Sequence, residues 1–162
     1  MRIWGFLILV LLLFSNVLYA REQYIVLHHT ASDKPLIKVW KSWWQIFPKY
    51  NYGITKDGKI ILGRPINIRG AHTIGDRGKF RYKDMNRISI GIVLEGNFTN
   101  KLPSQIQLSS LYLLVSKLTK HYNIPFNRDH VIPHKEASKT LCPGEAYDEF
   151  WKFLERRKVA KQ

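Results

Sequence analysis

Apolar and polar residues alternate along the chain in a way that predicts both strands and helices. The runs YIVLHH (24–29) and ISIGIVLEG (88–96) are short and rich in branched residues, which is typical of strands. The second run is apolar in both phases up to Glu95, so we expect a central strand buried on both faces. Two further runs, YGIT (52–55) and IILG (60–63), flank an Asp-Gly pair, which predicts a β-hairpin.

Helical periodicity occurs in three other segments. Pro35 can open the first helix, and Ser104 fits the N-cap of the second. The apolar positions of the first helix are Leu36, Val39, Trp40, Trp43 and Phe47. Residues 145–158 form a third, amphipathic helix, with acidic residues early and basic residues late. Residues 74–87 are polar and predict an exposed loop, and residues 131–144 predict irregular structure. This order predicts a single α/β domain whose mixed central sheet is flanked by about three helices.

The first 20 residues differ from the rest of the chain. Residues 3–20 carry no charge and follow Met1 and Arg2, a pattern that predicts an export signal cleaved after Ala20. The alternative is an uncleaved membrane anchor, because a segment of that length can just span a bilayer. In both cases we expect the folded domain, residues 21–162, outside the cytoplasm, either periplasmic or secreted.

Composition and charge narrow the class of protein further. The hydrophobic fraction of 45% excludes a disordered chain, and the single cysteine excludes both a disulfide framework and a cysteine-rich zinc ribbon. The formal net charge is +14, and removal of residues 1–20 takes away only Arg2. In an exported protein this charge indicates attraction to anionic polymers of the cell envelope, and export disfavours nucleic acid as a partner. The alternative is that the charge only solvates the surface.

Cys142 is an unpaired thiol in a chain predicted to be exported, where free thiols oxidise. It could be a buried inert thiol, half of an intermolecular disulfide, a nucleophile or a metal ligand. His134 lies eight residues before it, and His28 and His29 end the first strand. Imidazole and thiolate are good zinc donors, and two histidines with one cysteine would leave a fourth position open for water. On residue types alone, a zinc site and a buried thiol stay equally open.

Five blocks of the sequence, in this order, resemble the zinc-dependent N-acetylmuramoyl-L-alanine amidases. That family includes phage amidase lysozymes, bacterial wall amidases and animal peptidoglycan-recognition proteins. The resemblance covers about residues 23–155. The blocks are HHTAS (28–32), NYGITKDGKIILGRP (51–65), GAHT (70–73), NRISIGIVLEGNF (86–98) and HKEASKTLCPG (134–144).

The resemblance implies that residues 21–162 are an amidase domain that holds zinc through His28, His134 and Cys142. Strand alternation agrees that His28 and His29 do not both face one site. The implied reaction is hydrolysis of the amide between the lactyl group of N-acetylmuramic acid and L-alanine in peptidoglycan. Zinc would make hydroxide available near neutral pH and polarise the scissile carbonyl.

Other site residues also follow from the resemblance. Tyr50 would orient water or stabilise the oxyanion, unless it is only a packed aromatic at a strand edge. Thr140 replaces a lysine found in many phage and bacterial members, so it can donate a hydrogen bond but brings no positive charge. Glu95 is a candidate general base, although an acid bonded to loop amides at a strand end is the alternative. The residues implied to bind substrate are His72, Asn86 and Arg87.

Two other functions compete with an amidase. A non-catalytic peptidoglycan-binding module is one, but such relatives typically lack the cysteine ligand. A membrane-anchored interaction protein is the other, and it would have to retain the N-terminal segment. We expect a monomer that acts on peptidoglycan or muropeptides.

Overall fold

The computed structural model describes residues 22–40 and 46–160. The predicted export signal or anchor at 1–20 and the predicted helical residue Trp43 lie outside these residues. Within the described part of the chain, no helix combines the length and the apolar character needed to cross a membrane.

A five-stranded mixed sheet forms the centre of the domain. Its strands are Tyr24–His29 (β1), Tyr52–Ile54 (β2), Ile60–Leu62 (β3), Ser89–Leu94 (β4) and Val131–Pro133 (β5). Their order is β3-β2-β4-β1-β5, so β4 is central, and every residue of β4 is buried. Strand β4 pairs in parallel with β1 and β2, β5 pairs in parallel with β1, and β3 pairs antiparallel to β2. The predicted central strand, hairpin and mixed sheet are confirmed.

Two long helices cover one face of the sheet. The described helices are Leu36–Val39 (α1), Met85–Ile88 (α2), Gln105–Tyr122 (α3), His134–Ala137 (α4) and Ala146–Val159 (α5). Helices α3 and α5 pack their apolar side chains against Ile25 and Leu27 of β1 and against Ile90 and Ile92 of β4. The alternate residues of β1, such as Val26 and His28, point to the opposite face. Among the described residues, that second face is covered only by short elements, so a polar site can open there.

Helix α3 begins at a complete capping box. The Ser104 hydroxyl accepts a hydrogen bond from the Gln107 backbone N–H at 3.2 Å, and the Gln107 side-chain oxygen accepts one from the Ser104 N–H at 3.2 Å. The helix ends where Asn123 adopts a left-handed conformation with φ of 53°. The predicted N-cap is therefore confirmed.

The prediction of an exposed loop over 74–87 was wrong in part. The segment contains a 3-10 turn at Gly78–Phe80 and the start of α2. Phe80 and Met85 are fully buried against Val26 and Ile132 on the second face of the sheet. These two side chains hold the segment against the sheet. Because its other residues are mostly polar, the composition of the segment did not indicate that Phe80 and Met85 are buried.

Two further differences concern proline. Residues 131–144 are not irregular throughout, because they contain β5 and α4, and α4 begins directly after Pro133. Proline is tolerated in an edge strand and immediately before a helix, since neither position needs its missing N–H. The first helix is shorter than its apolar pattern predicts: α1 ends at Val39, and Phe47 lies in a bend. Pro48 follows Phe47 and disfavours helical geometry there.

The capping box predicts the effect of a mutation. Ser104→Ala removes the acceptor for an N–H at the start of α3, so we expect the free energy of unfolding to fall by about 1 kcal/mol. Urea denaturation followed by far-UV circular dichroism measures this change. Ser109→Ala, inside the same helix, is the matched control, and it should leave stability unchanged or slightly higher because alanine favours helix. Equal losses in both variants would contradict the assigned cap.

Candidate metal centre

The carboxyl end of β1 places two adjacent histidines on opposite faces of the sheet. His28 is 1% exposed and points to the face opposite the long helices. The His29 ring points away from it, and its Nδ1 accepts a hydrogen bond from the Phe98 backbone N–H at 3.0 Å. One imidazole of the pair is therefore available to a site, as strand alternation requires.

His134 and Cys142 come to His28 from one segment. His134 is the first residue of α4, and its ring centroid lies 4.4 Å from that of His28. The Lys135 N–H donates to the Cys142 carbonyl at 2.8 Å, which folds the segment back on itself. One nitrogen of each histidine and the Cys142 sulfur all lie within 4.8 Å of one another. These three side chains could therefore hold a metal ion.

The backbone beside β1 also supports the thiol. The Cys142 sulfur accepts a hydrogen bond from the His29 N–H at 3.3 Å, and it lies 3.8 Å from His28 Nδ1. His29 thus contributes its backbone to this site although its ring faces elsewhere. Residue types alone do not reveal such a contribution.

His72 determines which nitrogen of His28 is available. His72 Nε2 lies 3.4 Å from the Ser89 carbonyl oxygen, which can only accept, so this nitrogen carries the proton. His72 Nδ1 is then an acceptor for the His28 Nε2–H at 3.1 Å. The lone pair of His28 is consequently on Nδ1, the nitrogen that faces Cys142. A ligand histidine whose other nitrogen is hydrogen-bonded is the usual arrangement at metal sites.

The space for His72 comes from a glycine in the central strand. A Cβ atom at Gly91 would lie 2.6 Å from the His72 ring, which is closer than atoms in contact can approach. The asparagine side chain of Asn51 accepts a hydrogen bond from the Gly91 N–H at 2.8 Å and donates to the Arg64 carbonyl at 3.0 Å. Asn51, which our sequence analysis did not single out, thereby ties the segment that carries Tyr50 to the centre of the sheet.

Burial keeps the three imidazoles neutral. It lowers the pKa of His28 well below its ordinary value, that of His134 to about 4 and that of His72 to about 3. Burial also raises the pKa of the Cys142 thiol to about 12, although the His29 N–H opposes this shift. Without a cation the group is therefore uncharged at neutral pH. A divalent ion that prefers nitrogen and sulfur ligands fits this donor set and would replace the thiol proton.

Tyr50 stands directly beside the histidines. Its ring centroid lies 4.9 Å from that of His28. Burial, and then the proximity of Cys142, raises the pKa of Tyr50 to about 12. The phenol is protonated at physiological pH and can donate a hydrogen bond.

A cleft of about 260 Å³ runs past His134. Among the residues that line it are His72, Thr73, Asp76, Asn86, Ser138 and Thr140. The Asn86 side-chain oxygen accepts from the backbone N–H groups of His72 and Thr73 at 2.8 and 3.0 Å. The Thr140 hydroxyl oxygen accepts from the Cys142 N–H at 3.2 Å. The cleft gives a ligand access to the three-residue group at His134.

Two predicted site residues belong neither to the three-residue group nor to the lining of the cleft. Glu95 follows the last residue of β4 and is 8% exposed; its backbone bonds to Ile54 and to the Gln107 side chain. It is not a member of the group that could hold a metal ion. Arg87 is exposed and forms an ion pair with Asp84 at 3.6 Å. Of the three predicted substrate residues, His72 and Asn86 line the cleft, and Arg87 is not among its lining residues.

Comparison with known families decides where this chain belongs. The family profile described as N-acetylmuramoyl-L-alanine amidase matches residues 19–145. The chain belongs to this amidase family. The family predicted from the five sequence blocks is confirmed.

Solved structures of similar proteins share the fold of this amidase-family chain. N-acetylmuramoyl-L-alanine amidase LysC from Clostridium intestinale URNW is 31% identical, with a TM-score of 0.64, over 83% of this chain and 86% of LysC. Peptidoglycan recognition protein-LE, solved in complex with tracheal cytotoxin, a monomeric diaminopimelic acid-type peptidoglycan, is 30% identical. Its TM-score is 0.63, over 82% of this chain and 81% of that one.

Curated relatives of this amidase-family chain are longer proteins. Peptidoglycan-recognition protein LB of Drosophila melanogaster is 33% identical over 96 residues, which is 59% of this chain and 37% of the relative. The chain spans about a quarter to a half of the length of the curated relatives it matches. The family thus contains proteins named as amidases and proteins named for peptidoglycan recognition.

The three-residue group predicts metal retention. We expect the purified protein to hold one divalent ion per chain, and His134→Ala to lose it, because two ligands bind far more weakly than three. Elemental analysis after gel filtration measures the stoichiometry. His121→Ala, an exposed histidine on α3, is the matched control and should keep its metal. Full metal content in His134→Ala would exclude His134 as a ligand.

The buried imidazoles predict acid sensitivity of the metal-free protein. The unfolded chain binds protons on its histidines near pH 6.5, whereas the folded chain resists protonation until about pH 4 at His134. Stability should therefore fall as the pH decreases from about 6.5 to 4, and it should be constant just above that range. Urea midpoints measured in chelator test this expectation. The urea midpoint of His134→Asn should depend less on pH, and that of His121→Asn should depend on pH as in the parent protein. A urea midpoint of the parent protein that does not change with pH would contradict burial of a neutral His134.

Proposed function

We propose that this chain is an exported zinc-dependent N-acetylmuramoyl-L-alanine amidase that acts on peptidoglycan. The observation that carries the proposal is the convergence of His28, His134 and Cys142 within 4.8 Å at a cleft, in a member of this family. Export rests on the sequence of residues 1–20. The net charge of +14 supports attraction to anionic polymers that accompany peptidoglycan.

Zinc fits this donor set, and when bound at these three residues it would act as a Lewis acid and make hydroxide available near neutral pH. The protein supplies the geometry. His72 holds His28 with its Nδ1 facing the site, and the His29 N–H supports the Cys142 sulfur. Rigid side chains of this kind would hold the ion beside the cleft, where the scissile amide would lie.

Hydrogen-bond donors near the three-residue group and the cleft would stabilise the charge that develops on the amide oxygen. The Tyr50 phenol is protonated and stands next to His28. The Thr140 oxygen already accepts the Cys142 N–H, so its own hydrogen is available to a ligand in the cleft. Donors fixed in advance are effective because they need no reorganisation during the reaction.

The role of Glu95 as the general base stays a prediction. The register pairs His28 with Val93, and Glu95 shares the strand phase of Val93, which assigns it to the same face of the sheet. Its burial at the end of β4 is also what a purely structural strand-end acid would show. Peptide release from peptidoglycan by Glu95→Gln and by the parent protein, measured at several pH values, separates the two roles.

A binding module is the second candidate, because several relatives are named for recognition. The same cleft would then hold a muropeptide without hydrolysing it. The presence of all three ligand-type residues favours the enzyme. The tracheal cytotoxin complex of the recognition protein-LE supports a peptidoglycan fragment as the ligand class in both cases.

The proposal predicts a specific product. Purified peptidoglycan treated with the protein should release stem peptides that begin with L-alanine and leave unpeptidylated glycan, and mass spectrometry identifies both. A chelator should stop release, and added zinc should restore it. Cys142→Ser should bind insoluble peptidoglycan but release no peptide, because a hydroxyl is a far weaker zinc ligand than a thiolate. New reducing sugar ends would indicate a glycosidase, and binding without release by the zinc-loaded parent would indicate a recognition module.

A further inference from the structure

Tyr82 is displayed to solvent in an unfavourable backbone conformation. Its side chain is 89% exposed, and its φ is 69°, in the left-handed region that bulky residues avoid. Neither feature is explained by packing of the domain. Local strain that persists in a well-anchored segment is often associated with ligand contact.

The segment around Tyr82 is well anchored. Phe80 and Met85 on either side are fully buried. The Arg81 N–H donates to the Gly78 carbonyl at 3.1 Å, and the Lys83 N–H donates to the Phe80 carbonyl at 3.0 Å. The aromatic ring is therefore presented by a fixed turn.

Tyr82 lines a second cleft that continues from the first. This outer cleft has a volume of about 460 Å³ and shares Ile74 and Asp76 with the cleft beside His134. The Arg81 guanidinium lies 5.1 Å from the centre of the Tyr82 ring. A polymer bound at the candidate metal centre can thus extend along the surface to this ring.

The outer cleft carries charges of both signs, so it offers hydrogen-bond donors and acceptors to a hydroxyl-rich ligand. Arg69 donates two hydrogen bonds to the Asp84 carboxylate, at 2.9 and 3.0 Å, so its charge is compensated. Arg81 and Lys83 add donors, and Asp76 adds an acceptor. Sugar hydroxyls donate and accept, and the C–H face of a sugar ring packs on an aromatic ring.

We propose that the outer cleft is a subsite for a saccharide ring of the glycan strand, stacked on Tyr82. The proposal rests on the proposed function, since peptidoglycan supplies the glycan. The glycan would then lie in the outer cleft, beside residues 74–84. Tyr82 would determine a preference for longer glycan chains.

The test measures binding without hydrolysis. Peptide-free glycan chains of two and of six sugars, prepared from peptidoglycan, are titrated into the protein and followed by NMR. We expect the longer chain to bind about three- to tenfold more tightly, as one aromatic stacking contact allows. Tyr82→Asn should abolish this gain and keep the fold, because asparagine tolerates the left-handed conformation. Tyr82→Phe keeps the ring and should retain the gain.

Each result supports or overturns the subsite. A gain with length that survives Tyr82→Asn would overturn it, as would equal binding of both chains by the parent. Loss of affinity for a free stem peptide in Tyr82→Asn, with glycan binding unchanged, would assign the cleft to peptide instead. Thermal unfolding of each variant checks that the fold is intact. Because no step depends on hydrolysis, an inactive parent protein would refute the amidase and leave this measurement interpretable.

Discussion

The parallel pairing of β1 with β4 is the constraint on which the candidate site depends. Ile25 pairs with Ile90 and Leu27 with Ile92, and these four side chains are buried beneath the long helices. Burial of each contributes on the order of 2 kcal/mol, so the register is strongly specified. A slip of one residue would send this apolar set to the wrong face and bring His28 under the helices. The hydrophobic core therefore determines where the histidine lies.

The same sheet controls the chemical state of that histidine. Gly91 leaves room for the His72 ring, and the Ser89 carbonyl fixes the proton on it, so His28 presents Nδ1 to Cys142. Burying imidazoles is unfavourable unless their polar atoms have partners, and here the His28 and His72 rings are hydrogen-bonded to each other. The burial that keeps them neutral also keeps protons from competing with a metal ion. Stability and readiness for ligand binding thus come from one arrangement.

Much of the fold could be predicted from periodicity, whereas the site could be predicted only in part. The central strand and the long helices have enough residues to show a pattern, but β5, with three residues, does not. Family resemblance singled out the ligand-type residues among six histidines and one cysteine. The supporting contacts could not be predicted from the sequence, because the Ser89 carbonyl and the His29 N–H are backbone groups that residue type does not distinguish. Phe80 and Met85 were missed because two isolated apolar residues in a polar segment carry no period.

Contacts between distant segments couple the candidate metal centre to the cleft beside His134 and to the outer cleft. The Ser138 hydroxyl, in the segment between His134 and Cys142, bonds to the Thr73 hydroxyl at 3.0 Å and accepts the Ile74 N–H at 3.2 Å. The Asp76 N–H donates to the Ala137 carbonyl at 3.0 Å. The turn that carries Tyr82 is therefore tied to the segment that supplies two of the three ligand-type side chains. An ion held by those side chains would also restrain Thr73, Ile74 and Asp76, which line the cleft, because the two segments are hydrogen-bonded to each other. Binding of an ion at these residues would therefore be coupled to the shape of the cleft.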